Sequence, residues 1–182
     1  MARALRRIVT GHNAAGKSIV VIDGPPPGEI THPWAGDIWV TDETPADNAK
    51  PGDAAARPKR LEPPAGGSSF RFFVVMPEDP AIPRERLEEI AAARFAAMGA
   101  THCRVDTRRH PAMHTTRTVD YIVLLSGKVT LLLDEGEVDL EPFDVVVQRG
   151  TNHGWVNRTK EPAILAAILI DAKPIRRAPA RG

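Results

Sequence analysis

Two short polar clusters hold the residues best equipped for chemistry. The first runs His114-x-Thr116-x3-Asp120-x6-Gly127, the second Gly150-x2-His153-x3-Asn157. A neutral imidazole offers a nitrogen lone pair and a carboxylate offers charged acceptor oxygens, so such residues suit metal ligation, proton transfer or polar recognition. Between the clusters lie β-branched and leucine-rich runs, broken at Ser126-Gly127, Asp134-Glu135-Gly136 and Glu141-Pro142. That is the pattern of antiparallel strands joined by tight turns. Strands of this kind can fold two distant clusters onto one pocket. In a straight strand His114 and Asp120 would stand roughly 20 Å apart. The chain is therefore expected to reverse near 116–118, placing the two on neighbouring strands about 5 Å apart.

The stretch His110–Asn157 resembles the cupin family, whose two usual motifs are Gly-x5-His-x-His-x3-4-Glu-x6-Gly and Gly-x5-Pro-x-Gly-x2-His-x3-Asn. His114 takes the first histidine position, Thr116 the second, Asp120 the glutamate position and Gly127 the closing glycine. Gly150, His153 and Asn157 fit the end of the second motif. The chain departs from the pattern at Arg108, which stands at the leading glycine. It departs again in the second block, which opens on Phe143, is one residue short, and has Gln148 where proline is usual.

The resemblance implies an all-β, double-stranded β-helix (a jelly-roll barrel), and a homodimer. It also implies a metal set of His114, Asp120 and His153, with Asp120 and His153 as the catalytic pair. Two imidazoles and a carboxylate are the facial-triad composition suited to non-haem iron, and zinc accepts the same ligands. The expected cofactor is a divalent metal, with Fe, Zn, Mn and Ni all open. The implied function is a metal-dependent enzyme of oxygenase, isomerase or decarboxylase type acting on a small organic molecule. Thr116 replaces a usual metal histidine, and the Asp120 side chain is shorter than glutamate. These changes keep open a second reading, a metal-free pocket that binds or senses a small ligand without catalysis.

Other candidates for the pocket are Thr116, Tyr121, Gln148, Trp155, Trp34 and Trp39. His110 is a back-up ligand. Arg149 is expected at the surface, Asn157 as a turn-former, and His12, His32 and His102 as ordinary loop or strand residues. Nothing near Cys103 would activate its thiol.

The positioning elements follow from pattern. Leu5–Thr10 and Ser18–Ile22 read as a hairpin. Gly11-x4-Gly16-Lys17-Ser18 satisfies the Walker A string, but the residues after Ser18 are Ile-Val-Val-Ile and then three prolines close by. A P-loop needs a helix there; the string is therefore read as a hairpin turn. Residues 24–69 are loop-rich, with the island His32–Val40 expected either to pin that loop over the barrel or to wall the pocket. Phe70–Met76 is a strand. A helix over 83–98 presents Leu87, Ile90, Ala91, Phe95 and Met98 on one face and stops at Gly99. It is expected to pack peripherally and carry no chemistry. Strands are then expected at His102–Asp106, Val119–Leu125, Val129–Leu133, Glu137–Leu140, Phe143–Gln148, Gly154–Val156 and Ala163–Ile170.

The organisation expected is an N-terminal hairpin and proline-rich extension over 1–69, a barrel over 70–172 and a basic tail over 173–182. At 182 residues the chain suits one domain. Its 24 basic residues nearly cancel 23 acidic ones, giving no nucleic-acid footprint. The single cysteine excludes an intrachain disulfide and suits a reducing cytoplasm. No signal-like or bilayer-spanning apolar run is present, so the expected partner is a small molecule, without nucleic acid or membrane.

Overall fold

The structure is a computed structural model that describes residues 5–27 and 35–174. Ten strands and one helix follow in order: β1 (Arg7–His12), β2 (Ser18–Gly24), β3 (Gly36–Thr41), β4 (Ser68–Val75), α1 (Arg84–Ala97), β5 (Thr118–Ser126), β6 (Val129–Leu133), β7 (Glu137–Leu140), β8 (Val145–Gln148), β9 (His153–Val156) and β10 (Ala163–Asp171). Beyond the β1–β2 hairpin there are two antiparallel sheets, a five-stranded one ordered β3-β4-β10-β5-β8 and a three-stranded one ordered β7-β6-β9.

Alternation along β5 and β10 sends Ile122, Leu124, Leu165, Ala167 and Leu169 inward, where they meet Val129, Leu131 and Leu140 from the smaller sheet. Two sheets with their apolar faces together make the β-sandwich expected of a jelly roll. Gly127 closes the β5–β6 turn at φ +77, and a Cβ there would lie 2.5 Å from the Pro162 carbonyl oxygen. The motif's glycine is therefore required by both conformation and space.

At the β1–β2 turn, Asn13 Oδ1 accepts the backbone N–H groups of Ala15 and Lys17 at 3.0 Å each. The Walker-like string is thus a hairpin turn running from strand to strand. Arg7, buried at the start of β1, ties the hairpin to the 50s loop through an ion pair with Asp53. α1 ends in a Schellman arrangement, with Gly99 at φ +65, its N–H bonded to Ala96 O and the Ala100 N–H to Phe95 O.

Two expectations are corrected. The segment 102–106 is not a strand; its first two residues belong to a 3-10 turn, Thr101–Cys103. Within the loop-rich extension, Gly36–Thr41 forms a strand, β3, that pairs with β4 at the edge of the large sheet. α1 packs at the periphery as expected, and its buried residues Ala91 and Phe95 also line the cavity described below. Residues 1–4, the span 28–34 with His32 and Trp34, and the tail from 175 lie outside the described residues.

Candidate functional site

His114 precedes β5, and its backbone exchanges two hydrogen bonds with His153 (2.8 and 2.9 Å), an antiparallel bridge that extends the small sheet. A directly opposed antiparallel pair puts both side chains on one face. The two imidazole rings accordingly lie side by side, with centroids 4.3 Å apart. Each Nδ1 faces a carbonyl two residues back, His114 to Ala112 O at 2.9 Å and His153 to Thr151 O at 3.0 Å. A carbonyl only accepts, so Nδ1 carries the proton and Nε2 the lone pair. Among the described residues no hydrogen bond engages either Nε2. Burial pushes both imidazoles down in pKa; His153, with His114 beside it, falls to about 3. Both rings are therefore neutral near pH 7.

Asp120 points inward from β5 in a row with Leu169 and Gln148. It is 3% exposed, and its Oδ1 has no hydrogen-bond partner. Burial raises its carboxyl to about 6, with Thr118 and Arg71 pulling in the opposite direction. Asp120 does not lie on a strand next to His114, as the expected reversal would have it. The carboxyl belongs to the large sheet and the imidazoles to the small one, so they face a common cavity from opposite layers.

That cavity is about 690 Å³. His114, Thr116, Asp120 and His153 are among its polar lining, and Phe73, Phe95 and Trp155 form its aromatic walls. The Phe95 ring on α1 lies 4.9 Å from the His114 ring, and Trp155 meets the His153 ring edge-on at 5.9 Å. Leu87, Ile90 and Ala91 of α1 also line the cavity, so the helix forms one of its walls.

The structure thus brings together His114, Thr116, Asp120, His153 and Trp155. It does not bring in Tyr121, Gln148 or Trp39. Tyr121 follows inward-facing Asp120, so strand parity turns it outward, where it is 46% exposed. Gln148 is buried but is engaged by the turn it precedes, donating to the Thr151 carbonyl and hydroxyl. Trp39 sits after a register shift in β3 and pairs with Phe70 across the outer face. Trp34 lies outside the described residues. His110 borders the cavity with both nitrogens used, Nδ1 accepting from Ala112 N–H and Nε2 on Glu78 at 2.8 Å. Asn157 is a turn-former, bonding Val75 O, Glu161 O and Thr159. Sequence reasoning missed Arg71, Phe73 and Phe95. The inward parity of Phe70–Met76 carried the signal for the first two.

The residues fit a metal in part. Two neutral imidazoles with Nδ1 held by carbonyls and Nε2 free are the usual preparation of histidine ligands. Asp120 does not complete a compact trio with them. The described residues whose donor atoms all approach within 4.8 Å are Glu62, His102 and Cys103 instead. There His102 Nε2 meets Glu62 at 2.8 Å, and Glu62 also accepts Arg117 N–H, clamping the 60s loop to the barrel. Burial, with Glu62 nearby, pushes the Cys103 thiol up to about 11, so the thiol stays protonated and disfavours a metal.

Residues 101–170 match the family described as a cupin domain. Phomopsin biosynthesis cluster protein C' of Diaporthe leptostromiformis is 46% identical over 65 residues, 35% of this chain and 34% of its own. The cupin-domain-containing oxidoreductase srdD of Neurospora crassa is 37% identical over 67 residues, 35% of this chain and 34% of its own. The similarity spans about a third of the length of these relatives. Among solved structures, a Cupin 2 conserved barrel domain protein from Salinispora arenicola aligns at TM-score 0.37 and 17% identity, covering 68% of this chain and 72% of that one. No described helix is long and apolar enough to cross a membrane. Residues 101–170 carry both the paired motifs and the family match, and together with β3 and β4 they build an antiparallel sandwich of cupin-2-like fold.

Proposed function

We propose that this chain is a small-molecule enzyme of the oxidoreductase class whose chemistry is centred on the His114–His153 pair. The observation that carries the reading is two neutral imidazoles, rings 4.3 Å apart, each with a free Nε2, in the wall of an aromatic-lined cavity. Relatives named as cupin-domain oxidoreductases support the reaction class. A divalent metal held by Nε2 of His114 and Nε2 of His153 would supply Lewis acidity or redox chemistry. Asp120, with its elevated pKa and unpartnered Oδ1, is the group across the cavity that accepts or returns a substrate proton. Phe73, Phe95 and Trp155 orient an apolar body and exclude water.

Elemental analysis of the purified chain, before and after reconstitution with Fe, Zn, Mn or Ni, tests the metal directly. Near-stoichiometric metal is expected in the native protein and its loss in His114→Ala and His153→Ala. Failure of all four metals to bind would sink the metal-dependent form. The metal-free binding or sensing module keeps one observation in its favour, Thr116 in place of a ligand. It predicts that both alanine variants retain full affinity for a cavity ligand.

We also propose a homodimer in the cytoplasm. The outer face of the large sheet carries an apolar row from Trp39 through Phe70, Ile168 and Tyr121 to Val147, register partners across all five strands. The occupant proposed for this face is a second copy, whose own face carries the same row for a two-fold contact. The lone buried thiol suits a reducing compartment.

A further inference from the structure

The cavity is electrically polarised along α1. Near the start of the helix it is bordered by Glu78, which holds His110, and by Asp79, whose carboxylate accepts the Ala81 N–H. Toward the helix end the bordering groups are Lys59, Arg71 and Arg94. Leu87 and Arg94 alone are about 10 Å apart along the helix axis, so the two ends are separate.

The cationic end is a built feature. Arg71 faces inward from β4 on the same side as Asp120, and only 6% of it is exposed. One terminal nitrogen, Nη2, is fixed by Arg60 O at 2.6 Å and Ser69 Oγ at 3.2 Å. Nε stands 3.2 Å from Asp37 Oδ1, yet neither atom has an aligned hydrogen bond. No hydrogen bond engages Nη1 among the described residues. Lys59 and Arg94 sit at the mouth with exposed side chains; partial burial of the Lys59 ammonium, then Arg71 and Arg94, lower its pKa while Asp37 raises it, so the four charges are neighbours. Three cations therefore gather where the nearby anions are Asp37, which pairs with Arg71 and lines a neighbouring cleft with it, and Asp120. An incompletely satisfied buried guanidinium beside two further cations is suited to a planar anion. The aromatic and aliphatic walls between the two ends suit an apolar body.

We propose that the cavity takes an amphiphilic carboxylic acid, with its carboxylate against Arg71, Lys59 and Arg94 and its aryl or alkyl body under α1 beside Phe73, Phe95 and Trp155. This rests on the reading of the cavity as the substrate site and adds the substrate class to it.

Calorimetric titration of the full chain with 4-phenylbutanoate and with 4-phenylbutanamide, nearly equal in shape and differing in charge, tests the assignment at neutral pH. The carboxylate is expected to bind about tenfold more tightly. Lys59→Ala with Arg94→Ala, both exposed positions that the fold tolerates, should erase most of that preference and leave the amide unchanged. His114→Ala with His153→Ala should leave the preference intact, since the cations hold the acid. Equal binding of the two probes, or a preference lost only in the histidine variants, overturns the carboxylate assignment alone. Binding of neither probe overturns the cavity reading with it.

Discussion

Asp120 carries an energetic cost that its environment does not offset. Burial holds the folded carboxyl at about 6 against 3.8 for the free group. Between those values the folded protein keeps a proton that the unfolded chain has released. Stability from this group therefore falls as pH rises through about 4 to 6, and the full penalty is present above. The asparagine variant removes the ionisation while keeping the shape. Asp120→Asn should be more stable than the parent by roughly 1–3 kcal/mol at about pH 8, with the difference fading below about pH 4. Urea denaturation across pH reads this directly, and a pH-independent difference would show that the carboxyl is solvated after all. If Asp120 moves the substrate proton, the same variant loses turnover while keeping its metal content, which separates a proton acceptor from a ligand.

At the level of elements, most strands were legible because period-two alternation and turn residues survive in the sequence. β5, β6, β7 and β10 fall close to where the pattern put them. Three failures have physical causes. β3 was hidden because an edge strand with a register shift shows no clean alternation. The role of α1 was hidden because its apolar face says that it packs but not against what. Tyr121 and Gln148 were drawn in by adjacency to motif residues, although on a strand the neighbour of an inward residue faces out and a polar side chain can be used up by its own turn. The turn Glu141–Asp144 shows a further local mismatch. Phe143 adopts φ 77 and is 80% exposed, in a turn closed by Asp144 N–H on Glu141 O. Pro142 then Phe143 is the layout of a type II turn, whose third position favours glycine. Phe143→Gly should stabilise the protein by about 1 kcal/mol, read as a shifted denaturation midpoint; an unchanged or lower midpoint would refute the strain.

For the molecule as a whole, the apolar row over the large sheet makes a testable demand. Lysine at both Tyr121 and Val147 should convert a sedimenting dimer to a monomer without altering the far-ultraviolet spectrum, because both side chains are about half exposed. A parent chain that sediments as a monomer would remove the proposal. The placement of the reactive groups on two different layers has a further consequence. Core side chains such as Leu131 and Leu165 act as spacers between jaws. A bulkier spacer widens the gap between acid and imidazoles, a slimmer one narrows it, and neither Leu131 nor Leu165 lines the cavity. On the proposed chemistry, rate is therefore adjustable from the hidden interior, by residues that a survey of the binding surface would never select.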